Sequence, residues 1–295
     1  MKIKPTKYQV LEIFKKDIQK VISLDKNNVF NLNQINNILY LNRKNWRISI
    51  DIDLEDFIYF CLNNNILKDC SLIFPKKVIR RYTKYKNPAS KEEVALSLSD
   101  STYFSHYSAV MIHDLSYNVV KNLYVSTEQS IKVTNSQPLL QKNIDNAFKK
   151  DMRVTSRIAE YQNSYIHWLE SKNYNKLGII EHNNYKYTDL ERTLLDILMR
   201  PNYSGGIKEV INIFFKAKDD LSINKLYKYI KKMNPIYPYH QSLGFMLEHI
   251  GLNGTLVDMI GKLGCYYDFY LDYNMDLKNC NYSEKWRIYY PSYLD

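Results

Sequence analysis

The chain has 295 residues, 45% of them hydrophobic, and carries 41 Lys and Arg against 31 Asp and Glu for a net charge of +10. That length allows two domains at ~150 residues each, and no apolar run approaches the ~20 residues that cross a bilayer, so no membrane partner is expected. The first residues, MKIKPTKYQ, lack the apolar stretch of a signal peptide, and a cytoplasmic location is expected.

The charge is unevenly divided. Residues 1–87 hold 17 Lys and Arg and 8 Asp and Glu, whereas residues 88–295 hold 24 and 23. Such asymmetry is expected when one domain faces a polyanion and the other does not, and nucleic acid is the natural partner.

In chain order, Tyr8 to about Val21 carries Val10, Leu11, Phe14 and Ile18 at helical spacing and predicts a first helix. Asn31, with Gln34 three residues on, predicts the capped start of a second helix that buries Ile35, Ile38 and Leu39. Arg43, Lys44 and Arg47 surround Trp46 in the segment that follows. Asp53 caps a third helix with an apolar stripe of Leu54, Phe57, Ile58, Cys61 and Leu62. Ile66–Leu67 and Leu72–Phe74 read as two short strands around a turn at Asp69–Ser71.

Three helices and a β-hairpin are the element order of a winged helix-turn-helix, a module that contacts phosphates and docks a helix in the major groove. Next come Lys76, Lys77, Arg80, Arg81, Lys84 and Lys86 with no acid among them and Tyr82 and Tyr85 interleaved. These cations can neutralise phosphates and release counterions, although a solvated basic linker would carry the same run. The DNA-contact candidates are therefore Arg43, Lys44, Arg47, Lys76, Lys77, Arg80, Arg81 and Lys84. One feature opposes a simple assignment. The third helix carries Asp53, Glu55 and Asp56 with no basic residue, and these acids should repel the DNA backbone.

Beyond Asn87-Pro88, Ser90 and Glu93 make a capping box, residues 102–115 read as a helix, and Asn122–Thr127 as a strand. Residues 140–150 read as a helix, and NSYIHWLE, KLGIIEHNN and NYKYT as strands with a hairpin turn at Asn183-Asn184. The clearest stretch is TDLERTLLDILMRPNYSGGIKEVINIFF, residues 188–215. Thr188 is expected to cap its first helix with Glu191, Pro201 to stop it, and Gly205-Gly206 to turn the chain into a second amphipathic helix. The acids of this pair are expected on a solvated face. Further helices are expected at 221–233, 239–250 with Gly251 as C-cap, and 256–263, before strands near 265–271 and 286–290.

The ERTLLD helix followed by a proline, a GG turn and an EV helix resembles the helical signature of AbiEi-type antitoxins, the regulator half of abortive-infection (type IV) toxin-antitoxin pairs. ALSLSDSTYFSHYSAVMIHDLS with KNLYVSTEQS is similar to the start of that family's antitoxin domain, and YPYHQSLGFMLEHIGL and KWRIYYP resemble it too. The likeness covers roughly residues 75–295. This chain has His113-Asp114-Leu115 where the family more often has a glycine in the middle. The resemblance implies a non-enzymatic antitoxin and autorepressor that binds inverted repeats in its own promoter and counteracts a nucleotidyltransferase-like toxin. The expected architecture is α+β, with a winged helix-turn-helix over 1–87 and a larger mixed helix and short-strand antitoxin domain over 88–295.

Catalytic alternatives find little support. Glu181 and Lys186 do not make the compact carboxylate and E-x-K set of a Mg²⁺-dependent nuclease, and no glycine-lysine spacing marks a phosphate-cradling loop. Ser105, His106 and Asp114 are close in sequence without a nucleophile elbow. No two of His106, His113, His240 and His249 have the spacing of metal ligands on a helix, and Cys61, Cys70, Cys265 and Cys280 show no CxxC spacing. No cofactor, metal or small-molecule substrate is expected. A protein-binding antitoxin that sequesters its toxin without touching DNA is the alternative function, and a metal-dependent defence nuclease is the third.

Overall fold

A computed structural model describes residues 7–118, 121–131 and 138–294. The chain opens with α1 (Lys7–Ile13), α2 (Lys15–Leu24), β1 (Val29–Phe30), α3 (Leu32–Asn42) and α4 (Leu54–Asn63). It continues through β2 (Leu67–Asp69), β3 (Leu72–Phe74), β4 (Lys77–Ile79), β5 (Tyr82–Lys84) and α5 (Lys91–Leu96). Then follow β6 (Tyr103–Phe104), α6 (His106–Ile112), β7 (Asn122–Glu128), α7 (Gln141–Phe148), β8 (Ile158–Tyr161), β9 (Ser164–Ser171), β10 (Ile179–His182) and β11 (Tyr185–Thr188). The helices α8 (Leu190–Met199), α9 (Ile207–Lys216), α10 (Ile223–Met233), α11 (Tyr239–His249) and α12 (Thr255–Gly261) precede β12 (Phe269–Tyr270), β13 (Cys280–Ser283) and β14 (Ile288–Pro291). The architecture is mixed α and β. It divides into two units, residues 1–102 with 157–166, and residues 103–156 with 167–295.

In the first unit the expected single N-terminal helix is two, because the chain leaves helical geometry at Phe14 (φ −93°, ψ 9°). The caps of α3 and α4 form as their sequences predict: Asn31 and Gln34 exchange side-chain bonds with each other's backbone N–H, and Asp53 accepts from Asp56 N. The two strands expected to pair around Asp69–Ser71 do not pair with each other. Instead β2 pairs with β5 and β3 with β4, so residues 67–84 form one long antiparallel ribbon with its tip at Pro75-Lys76. Asp69 Oδ1 accepts from Ser71 N at 2.8 Å and bends the first arm without closing it. The basic run is thus the returning arm of the ribbon. The strand β1 joins it to complete a sheet ordered β1-β5-β2, over a core of Phe30, Leu39, Trp46, Phe57 and Tyr82.

The second unit is built around α8. Its main sheet runs β10-β11-β6-β7-β9, and a smaller sheet has the order β12-β14-β13. The helix expected over 102–115 starts only at His106, because Tyr103 and Phe104 pair with Ser126 and Val125 as a strand. At the end of α6, Asp114 takes the left-handed conformation (φ 55°), a backbone demand that a glycine meets more easily. The Asn183-Asn184 turn is left-handed at both residues (φ 49° and 66°), as a two-residue hairpin requires. Strands β8 and β13 carry no strong alternation and go unpredicted.

Two further expectations at α8 are overturned. Its cap is Asp189, whose carboxylate accepts from Arg192 N, while Thr188 turns its hydroxyl to that of Thr193 at 2.7 Å. The acids are not on a solvated face: Asp189, Glu191 and Asp196 are buried, as is Arg192. Each therefore needs a partner, since a buried charge without one is costly.

On α11, Gly244 accommodates the indole of Trp286, which is 1% exposed and donates from Nε1 to Glu248 at 2.7 Å. A Cβ at residue 244 would come within 2.1 Å of that ring. We expect Gly244→Ala to lower unfolding free energy by about 1–3 kcal/mol or more through overpacking, measured by urea denaturation. Its neighbour Ser242 has a buried hydroxyl with no hydrogen-bond partner among the described residues, so Ser242→Ala should be neutral or slightly stabilising in the same assay.

Candidate nucleic-acid interface

The turn between α3 and α4 is anchored by Trp46, which is buried and stacked on Phe57 with ring centres 6.1 Å apart. With that ring inside, its neighbours Lys44 and Arg47 are exposed, Arg47 in the left-handed region (φ 51°). Arg43 instead braces the turn, donating to Ser49 O and, at 2.8 Å, to Ile52 O. Lys76 and Lys77 lie exposed at the tip of the ribbon.

The other three sequence candidates have intrachain roles. Arg80 grips both carboxylate oxygens of Glu55 at 2.6 and 2.8 Å and also donates to the Tyr82 hydroxyl. Arg81 donates to Ser97 O at 2.8 Å and Leu98 O at 3.1 Å, satisfying carbonyls left over at the end of α5. Lys84 does the same for α2 through Asp25 O at 2.6 Å. The eight candidates thus separate into four exposed cations and four that hold the fold.

The acids of α4 look different in this setting. Asp53 is the cap, Asp56 accepts from Tyr8 Oη at 2.7 Å, and Glu55 is neutralised by Arg80. The hydrogen bonds from Arg80 hold the Glu55 carboxyl below the usual carboxylate range. The repulsion expected from this helix is therefore reduced at Glu55. Between α4 and the ribbon, Tyr59, Ile73 and Val78 are exposed, and no charge pattern in the sequence marks them.

The second unit contains a cleft of about 460 Å³ beside α8 that sequence reasoning missed. His106, Arg192, Asp196 and Arg200 line it, brought together from α6 and from both ends of α8. Arg192 is 1% exposed; Nε donates to Asp196 Oδ1 at 2.8 Å, one terminal nitrogen donates to Leu177 O at 2.9 Å, and the plane lies over the Tyr174 ring. Burial works against this charge, yet Asp196 beside it holds the guanidinium pKa above its ordinary value. The other acids are matched too: Glu191 accepts from Lys225 Nζ at 2.7 Å and Ser222 N at 2.9 Å, and Asp189 from Tyr229 Oη at 2.8 Å.

His106 sits at a left-handed residue (φ 50°), its Nδ1 2.9 Å from Ser105 Oγ. Ser105 Oγ is also 2.6 Å from Ser126 Oγ, and no carboxylate stands among the hydrogen-bond partners of His106, so the catalytic arrangement of Ser105, His106 and Asp114 does not assemble. His113 and His240 bond the carbonyls of Thr188 and Gly264, each at 2.8 Å. The four cysteines are unpaired. Among the described residues no group of three or more His, Cys, Asp or Glu is placed to hold a metal ion, and no helix is long and apolar enough to cross a membrane.

Burial, with Arg200 and Arg192 adding to it, pushes the His106 pKa down from 6.5 to about 3. The unfolded chain takes up a proton near pH 6.5 that the folded chain refuses until about 3. Its stability contribution is therefore full above pH 6.5 and falls with pH by up to about 1.4 kcal/mol per unit through that window. Replacing His106 by Asn, which tolerates the left-handed backbone, should flatten the acid side of a plot of melting temperature against pH.

Comparison with known proteins matches the fold alone. No family model matches the chain, and no curated protein does. A solved structure described as the crystal structure of the RV2827C protein from Mycobacterium tuberculosis is similar, with a TM-score of 0.59 at 9% identity over 94% of this chain and 91% of that one.

Proposed function

We propose that the first unit is a winged helix-turn-helix that binds operator DNA, and that the chain is a transcriptional autorepressor and antitoxin. The observation that carries the DNA half is the exposure of Lys44, Arg47, Lys76 and Lys77 on the α3–α4 turn and the ribbon tip, within the third of the chain that holds nearly all the net charge. The order of two helices, a strand, two helices, a strand, a ribbon and a strand supports the winged-helix reading, with residues 72–79 as the wing. The turn and the wing then supply phosphate contacts, and α4 enters the groove with Glu55 masked by Arg80.

The antitoxin half rests on the ERTLLD, YFSHYSA and YHQSLGF segments, whose family counteracts a nucleotidyltransferase-like toxin. The exposed Tyr59, Ile73 and Val78 favour a second reading, in which the same unit grips the toxin directly and leaves DNA alone.

The test is binding of the full chain to its own upstream promoter fragment, titrated with salt, against an unrelated fragment of equal length. Selective binding that weakens steeply with salt is expected. Replacing Lys44, Arg47, Lys76 and Lys77 by Gln should reduce the log–log salt slope by about 0.9 for each phosphate no longer neutralised. Arg81→Ala should instead act through stability, because it leaves the partly buried carbonyls of Ser97 and Leu98 without this donor. Equal weak binding to both fragments, together with co-purification of the neighbouring toxin, would replace this reading with the second.

A further inference from the structure

The cleft beside α8 shares no residue with the DNA reading, and its lining is unusual for a purely structural hollow. Its volume of about 460 Å³ falls within the ~300–1,000 Å³ typical of ligand pockets. Arg153, Lys172, Arg192 and Arg200 line it against only two acids, Glu170 and Asp196, so it carries an excess of positive charge. Glu170 is already engaged by Gln129 Nε2 at 3.2 Å. Arg153, Lys172 and Arg200 are exposed, ready to meet an anion at the mouth.

Deeper in lies the Arg192–Asp196 ion pair. Arg192 uses Nε and Nη1, and Asp196 uses Oδ1, so Arg192 Nη2 and Asp196 Oδ2 make no hydrogen bond among the described residues, and both residues line the cleft. A donor and an acceptor left open on one ion pair suit a planar group that offers the complementary pair, as the edge of a nucleobase does. Aromatic side chains are at hand, since Tyr174, Tyr203, Tyr237 and Tyr273 share the lining, and stacking on such rings holds a base without regard to its identity.

We propose that this cleft binds a nucleoside phosphate, with the phosphates on Arg153, Lys172 and Arg200, the base among the tyrosines, and its edge on the Arg192–Asp196 pair. The assignment departs from the sequence-based expectation that no small molecule is involved, and it concerns binding, with no turnover. It is independent of the DNA reading, since none of the promoter-binding residues takes part.

The experiment is isothermal titration of the full chain with ATP, GTP, CTP, UTP and inorganic phosphate. At least one nucleotide should bind saturably and at least about tenfold more tightly than phosphate. The double variant Arg153→Gln, Lys172→Gln changes side chains classed as exposed and should keep the melting temperature while weakening that binding at least about tenfold. Hydrogen exchange of the unmutated chain provides a reading that no variant can confound: the nucleotide should slow exchange at 153–155 and at the end of α8. No saturable binding, phosphate binding as tight as the best nucleotide, equal affinity in the double variant, or protection confined to other segments would each overturn the assignment.

Discussion

The structure depends most on the charges buried along α8. A helix that carries Asp189, Glu191, Arg192 and Asp196 into the interior requires that every neighbour supply a partner, and the surrounding elements are fixed by that demand. Lys225 and Tyr229 hold α10 against its first turn, Ser222 offers a backbone N–H, and the carbonyl of Leu177 turns inward to the guanidinium. Gly178, at φ 68°, lets the chain approach so closely that a Cβ there would meet Arg192 Cβ at 2.7 Å. Removing one member of a buried pair typically costs about 3–5 kcal/mol, a large fraction of a domain's stability. The apolar side of the same helix, Leu194, Leu195, Ile197 and Leu198, lies in the largest hydrophobic cluster of the unit. One helix therefore supplies both the polar network and the centre of the core.

The first unit distributes its charge differently. Two of its arginines close gaps in the backbone, which follows from their chemistry: a planar guanidinium satisfies two carbonyls at once, as Arg43 and Arg81 do. Arg80 adds a second effect by cancelling an acid at the start of α4. A positive surface and a folded scaffold are thus drawn from the same basic run. The net charge of a segment consequently overstates the number of cations available to a partner.

Much of this was legible in the sequence where the determinants are local. The Asn31–Gln34 and Ser90–Glu93 boxes, the Asn183-Asn184 turn and the glycines after Pro201 specify their geometry within a few residues, and all form. What was not legible depends on distant partners. Asp69–Ser71 resembles a hairpin turn until β4 and β5 claim the two strands. The acids of α8 look solvated until Lys225, Ser222 and Tyr229 arrive from more than 30 residues away. The cleft could not be foreseen for the same reason, because its cations come from three separate segments, around Arg153, at Lys172 and along α8.

Contact with a polyanion is proposed for the α3–α4 turn and the ribbon, whereas α8 serves internal support. Hydrogen exchange of the full chain with and without its promoter fragment tests that division most directly. Slower exchange at residues 43–50 and 72–79, with the amides of α8 unchanged, is the predicted result. Protection confined to the second unit, or none in either, would contradict it.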